Sequence, residues 1–167
     1  VSVRGVTPEI QEIESKEFDE GRFVTAQEVE RSAPVVVLGA DIRDKYFPVG
    51  SALGKVVKVR GVPLTVIGVE KARGSFMGSP MDRLMYIPIS LHLQIFSRDG
   101  GVQIHANSLD KDKFSDAMDE ATVLLRNYRK LTGSEEDTFS LVNTDEFNSQ
   151  MDQFTGAIAA VVVPITM

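Results

Sequence analysis

The residue types that carry chemistry are few in this chain, and they are poorly spaced for it. His92 and His105 are the only histidines. His105 alternates with Ile104, and His92 follows Leu91 just after Pro88. A zinc site asks for three or four ligands at close spacing, and no H-x-x-x-H or H-E-x-x-H is present, so both read as structural or surface histidines. With no cysteine, disulfides and thiolate metal sites are excluded. Carboxylates cluster at Asp110/Asp112, Asp116/Asp119/Glu120 and Glu135/Glu136/Asp137. A calcium loop needs D-x-D-x-D-G and a later Glu; here the clusters read as a helix cap and a solvated face. A glycosidase-type pair brought together by folding stays open, with no local feature in its favour.

Gly50 to Lys55 places a Gly-Lys step after a loop, as a phosphate loop does. The pattern G-x-x-x-x-G-K-[ST] fails on three counts. The glycines are one residue too close, Val56 replaces the hydroxyl residue, and a strand follows instead of a helix. No G-x-S-x-G elbow is present either. Neither a catalytic residue, a cofactor nor a metal ligand is assigned.

What remains are contact residues. Arg73, Phe76, Met77 and Met81 lie in a glycine-rich loop from Lys71 to Arg83, and such aromatics and methionines often serve contact surfaces. Two readings stand equal for them: a partner contact with an arginine rim, or side chains folded back onto the neighbouring hairpin.

The elements that position this loop are β-rich. With 167 residues, 43% hydrophobic and 25% charged, the chain can build one domain or two small lobes. Its net charge of −6, with the signs interspersed, argues against a nucleic-acid partner. No signal-peptide pattern is read in VSVRGV. That opening is a strand, with a helix from Pro8. Gly21-Arg22-Phe23 makes a turn, and Thr25 to Glu28 is a capping box. Val35 to Leu38 is a strand and Asp41 to Phe47 a short helix. Val56–Arg60 and Leu64–Glu70 form a hairpin turned at Gly61, Val62 and Pro63. Leu84 to Ile87 is a strand ended by Pro88.

Val102 to Ser108 reads as a further strand. Asp110 to Lys130 is a helix with Phe114, Ala117, Met118, Ala121, Leu124, Leu125 and Tyr128 on one stripe. Phe139 to Val142 then closes a β-α-β unit, and a last helix begins near Thr144. Gly156 to Met167 is uncharged and apolar: a buried element of the domain, or the first part of a membrane helix, which needs about 20 such residues.

The phrase VVVLGADIRDKYFPVGSALGKVVKVRGVPLTVIGV is similar to the MacB-like extracytoplasmic core domain of ABC-transporter permeases. It matches that family's pattern at Val36, Leu38, Gly39, Phe47, Gly54, Lys55, Gly61, Pro63 and Val66 to Val69. FDEGRF (18–23) and Tyr86-Ile87-Pro88 match it on either side. Family members usually carry a further strand and helix before the equivalent of VSVRGV, so the sequence starts late in the domain or belongs to a short member.

The resemblance implies an α+β fold of two lobes, resembling the porter-like and sabre-like subdomains of the family. An α/β lobe holding the β-α-β unit would take 1–29 and 96–155, a β-rich lobe with the central hairpin 30–95, and a transmembrane helix would begin at 156–167. It implies no enzyme activity in this chain. The role would be that of an extracytoplasmic domain of a cell (inner) membrane permease, on the periplasmic side. Its partners would be a cytosolic ABC ATPase, a second permease copy and a periplasmic adaptor or carrier. The alternative is a stand-alone ligand-binding or adaptor module with 156–167 in its own core.

Overall fold

The computed structural model describes residues 1–76, 79–80, 82–96, 101–108 and 110–143, with the backbone alone given at 75, 76, 79, 80 and 111. The chain divides into two compact units, Val1–Asn107 and Ser108–Met167.

The first unit is a mixed six-stranded sheet with helices on both faces. It runs β1 (Ser2–Val6), α1 (Ile10–Ile13), β2 (Phe18–Gly21), α2 (Ala26–Glu30), β3 (Val35–Leu38) and α3 (Ala40–Tyr46). It continues with β4 (Val56–Val59), β5 (Val62–Glu70), the two-residue strands β6 (Ser75–Phe76) and β7 (Ser79–Pro80), β8 (Leu84–Pro88) and α4 (Ile89–Ile95). The sheet order is β1-β8-β3-β5-β2, with β4 also on β5. β5 is the spine. β3 runs parallel along one side of it, while β4 and β2 share the other, β4 on its first half and β2 on its second.

The β-branched runs of β3, β5 and β8 explain this placing, because a strand buried on both faces reads as a continuous apolar run. Alternate residues of β3 feed two clusters. Val36 and Leu38 join Ile42, Leu64, Val66, Ile87 and Leu91 on one face. Val37 joins Val6, Phe23, Val24 and Tyr86 on the other. Two glycines let the backbones meet. A Cβ on Gly68 would stand 2.2 Å from the Arg22 carbonyl oxygen, and one on Gly39 would stand 2.3 Å from that of Asp82.

Several expectations change in detail. The hairpin turns at Arg60 and Gly61, both at positive φ, so that Val59 pairs with Val62 and Pro63 lies inside β5 opposite Lys58. Two residues of positive φ suit the twist of a hairpin better than a longer turn. Pro63 is tolerated because β3 joins β5 only from Thr65 onward, so no ladder bond is asked of its nitrogen. Gly21 ends β2 rather than opening a turn. The 71–83 loop contains the β6–β7 ladder.

The β-α-β unit expected over 102–143 is not formed. Neither Val102–Ser108 nor Phe139–Val142 is a strand. The first is exposed at nearly every residue. Alternation marks a strand only where a neighbouring edge supplies the ladder, and none does so among the described residues. β1 pairs with β8 and β2 with β5. Residues 1–29 thus build the same sheet as 30–95, and the division falls after Asn107.

The second unit is described by its helix. A 3₁₀ turn, Lys111–Lys113, leads into α5, Phe114–Arg129. Asp110 caps that turn, accepting from the Asp112 amide at 3.0 Å. Lys130 closes α5 in the left-handed region. The stripe exists, but no residue of α5 is buried, and Leu124 and Tyr128 are exposed. The helix expected from Thr144 and the apolar run 156–167 lie outside the described residues. Among the described residues no helix is long and apolar enough to cross a membrane.

Candidate partner-contact site

The arm between β5 and β8 is held at its base by a buried carboxylate. Asp82, 6% exposed, accepts the backbone amides of Arg73 (2.8 Å) and Gly74 (2.9 Å), one on each oxygen. Two backbone donors satisfy a carboxylate that would be costly to bury alone. Above this clamp the β6–β7 ladder pairs Ser75 with Pro80 and Phe76 with Ser79. Gly39 makes the clamp possible, since its missing side chain admits the Asp82 backbone. Its own amide donates to the Leu84 carbonyl at 2.8 Å.

At the base of the arm runs a chain of alternating charges from Glu14 through Lys16 and Glu70 to Arg73, with His105 beside Glu14. His105 Nδ1 lies 3.4 Å from Glu14, whose other oxygen is 2.8 Å from Lys16 Nζ. Lys16 reaches Glu70 at 3.1 Å, and Glu70 takes Arg73 at 2.7 Å. Lys16 also donates to the Tyr86 hydroxyl at 3.0 Å. The Lys16 side chain is fully buried and that of Glu70 nearly so. Two cations and two carboxylates balance, which is the condition for burying charge at all.

Burial alone would lower Lys16, but the Glu14 carboxylate and the Tyr86 hydroxyl outweigh it and hold the ammonium above its ordinary range. Burial likewise pushes Glu14 up, and the Lys16 ammonium brings it below the usual carboxylate range. Tyr86 is raised by burial. These groups keep their charges, or in Tyr86 its neutrality, across the physiological range. Together they form a charged anchor at the base of the arm.

The four residues marked in the sequence separate in this setting. Arg73 is an anchor: its guanidinium meets buried Glu70 and its amide meets Asp82. Phe76 lies on β6. Met77 and Met81 lie outside the described residues. Arg83, the arginine at the far end of the arm, is exposed and pairs with Asp41 at 3.2 Å. His92 stacks on Phe96 with ring centroids 4.5 Å apart, and His105 serves the charge chain. The Lys16–Glu70 pair and the Asp82 clamp were not read from the sequence. The pair joins residues 54 positions apart, and no local pattern announces that. An Asp directly before a strand and after a glycine-rich loop is the one signal for the clamp. A surface depression is lined in part by Asp19, Glu20, Arg43 and Asp44. No group of side chains among the described residues could hold a metal ion.

The described residues thus form a mixed sheet carrying an arm clamped at its base. The chain belongs to the MacB-like periplasmic core domain family, which matches residues 1–124. It is 25% identical over 158 residues to the macrolide export ATP-binding/permease protein MacB of Chlorobaculum tepidum, covering 92% of this chain and 24% of that protein. It is also 25% identical over 163 residues to the uncharacterized ABC transporter permease YvrN of Bacillus subtilis, covering 91% of this chain and 40% of that one. The chain thus spans well under half the length of these relatives. Among solved structures, the periplasmic region of MacB from Actinobacillus actinomycetemcomitans shares the fold with a TM-score of 0.66 at 23% identity. That likeness covers 90% of this chain and 64% of the other.

Proposed function

We propose that this chain is the extracytoplasmic domain of an ABC-transporter permease and transmits motion rather than performing catalysis. An ATPase on the cytosolic side drives the membrane helices, and the domain passes their movement to a substrate or to an adaptor or carrier. Two copies work together in the membrane. The observation that carries this reading is the family match over residues 1–124. The arm, rigid at its base through Asp82 and Arg73, is the contact element, with Phe76, Met77 and Met81 as its apolar anchors.

The test uses the full-length permease in intact cells. A cysteine at exposed Glu30 should react with a membrane-impermeant maleimide, and an ABC ATPase should purify with the protein. Labelling only after the membrane is opened, with no ATPase retained, would favour the stand-alone module. Replacing Phe76 and Met77 by serine should then uncouple ATP hydrolysis from transport without unfolding the sheet. Unaltered coupling would reduce the arm to a cover over the β4–β5 hairpin.

A further inference from the structure

Charge is unevenly distributed in this acidic chain. From Lys45 to Val69 the sequence holds Lys45, Lys55, Lys58 and Arg60 and no carboxylate. All four are exposed. None enters an ion pair among the described residues, whereas Arg22, Arg43 and Lys71 of the same unit do. Three of the four rest on aromatic rings instead. Lys45 Nζ lies 5.5 Å from the centre of Tyr46, Lys55 Nζ 5.0 Å from Phe47, and the Arg60 guanidinium 4.4 Å from Phe96. A ring restrains a cation without neutralising it, so the charge stays available to an anion from outside.

Lys58 lies on an open sheet edge, and Lys55 and Arg60 flank it. β4 pairs with β5 alone, and its other side has no ladder partner among the described residues. The turn at Arg60–Gly61 makes Val59–Val62 the hydrogen-bonded pair, so by alternation the amides of Val56 and Lys58 point away from β5. Val56 is 57% exposed.

We propose that the β4 edge binds an extended, acidic segment of a partner protein, laid alongside Val56–Val59 as an added strand. Main-chain bonds to the edge would hold the segment, and Lys55, Lys58 and Arg60 would select its carboxylates. A fluid anionic membrane needs no strand edge and no fixed spacing of cations, and this site offers both. The surface follows from exposure, charge and pairing alone and does not rest on the role proposed for the arm. Lysines on an edge strand also keep copies of a protein from pairing, and on that account alone the edge would bind nothing.

The probe is fluorescently labelled poly-L-glutamate, titrated by anisotropy against the 167-residue chain. Binding should weaken at least about tenfold in the variant Lys55→Gln/Lys58→Gln/Arg60→Gln. It should change less than about twofold in the control Arg4→Gln/Arg31→Gln/Arg129→Gln, whose arginines are exposed outside the segment. Circular dichroism checks that both variants fold. Hydrogen exchange at the Val56 and Lys58 amides should slow on binding. Equal loss in both variants, absence of binding, or unchanged exchange at those amides would overturn the proposal. So would stronger binding to phosphatidylglycerol vesicles than to the polypeptide.

Discussion

Replacing Lys16 by methionine removes the centre of the buried charge chain while nearly preserving side-chain volume. Three contacts are lost: to Glu14 at 2.8 Å, to Glu70 at 3.1 Å and to the Tyr86 hydroxyl at 3.0 Å. Glu14 is 22% exposed and rehydrates easily, but Glu70, at 3%, is left buried with Arg73 as its remaining cation. Removing one partner of a fully buried pair costs about 3–5 kcal/mol. The surviving Arg73 contact reduces this, so a loss of about 2–4 kcal/mol is expected. Urea unfolding followed by circular dichroism and tyrosine fluorescence measures it. Adding Glu70→Leu removes the orphaned carboxylate, and the double variant should recover about 1–3 kcal/mol relative to the sum of the single changes. Lys16 is raised from its ordinary 10.5, so its contribution is complete below that value and fades as pH rises through the raised one. Glu14 is lowered, so its share is present above the ordinary carboxylate range and fades in acid. A loss under about 1 kcal/mol, or strict additivity in the double variant, would refute a structural charge chain.

Two further outcomes follow from local geometry. Gly39→Ala should cost about 2 kcal/mol or more, because its Cβ would meet backbone rather than a yielding side chain 2.3 Å away. It should also speed hydrogen exchange at the Arg73 and Gly74 amides, whose clamp it displaces, and unchanged exchange would count against the clamp. In the capping box of α2, the Arg22 guanidinium meets Glu28 through two hydrogen bonds of 2.8 Å and holds its carboxyl at about 2. Glu28→Gln should cost about 1 kcal/mol near neutral pH, since exposed Arg22 is partly screened. The gap between variant and parent should close as pH falls from the ordinary 4.5 toward 2. A gap that persists at the lowest pH would mean that the loss does not come from the charge of the carboxylate.

Elements whose stability is local were legible in the sequence. The Thr25–Glu28 capping box appears as read, with both reciprocal hydrogen bonds. The apolar runs at 35–38 and 84–88 are strands with neighbours on both edges and packed core on both faces. The resemblance carried by Gly39, Gly61 and Val66 to Val69 gave the family. Elements that depend on a partner edge were not legible. Val102 to Ser108 alternates like a strand, yet no described strand lies beside it, and α5 has an apolar stripe with no buried residue. The charge chain was hidden for the same reason. Lys16, Glu70 and Tyr86 meet only once β5 and β8 are placed in one sheet with β3 between them.

A domain that transmits motion, as proposed, changes position when its ATPase turns over. Its chain has no cysteine, so a spin label at Glu30→Cys can report the separation of two copies, provided any cysteines elsewhere in the permease are removed. In the reconstituted permease–ATPase complex, electron–electron double resonance should give one distance distribution without nucleotide and a shifted one with ATP trapped. An unchanged distribution, or no label-to-label distance at all, would contradict a motion-transmitting domain working in pairs.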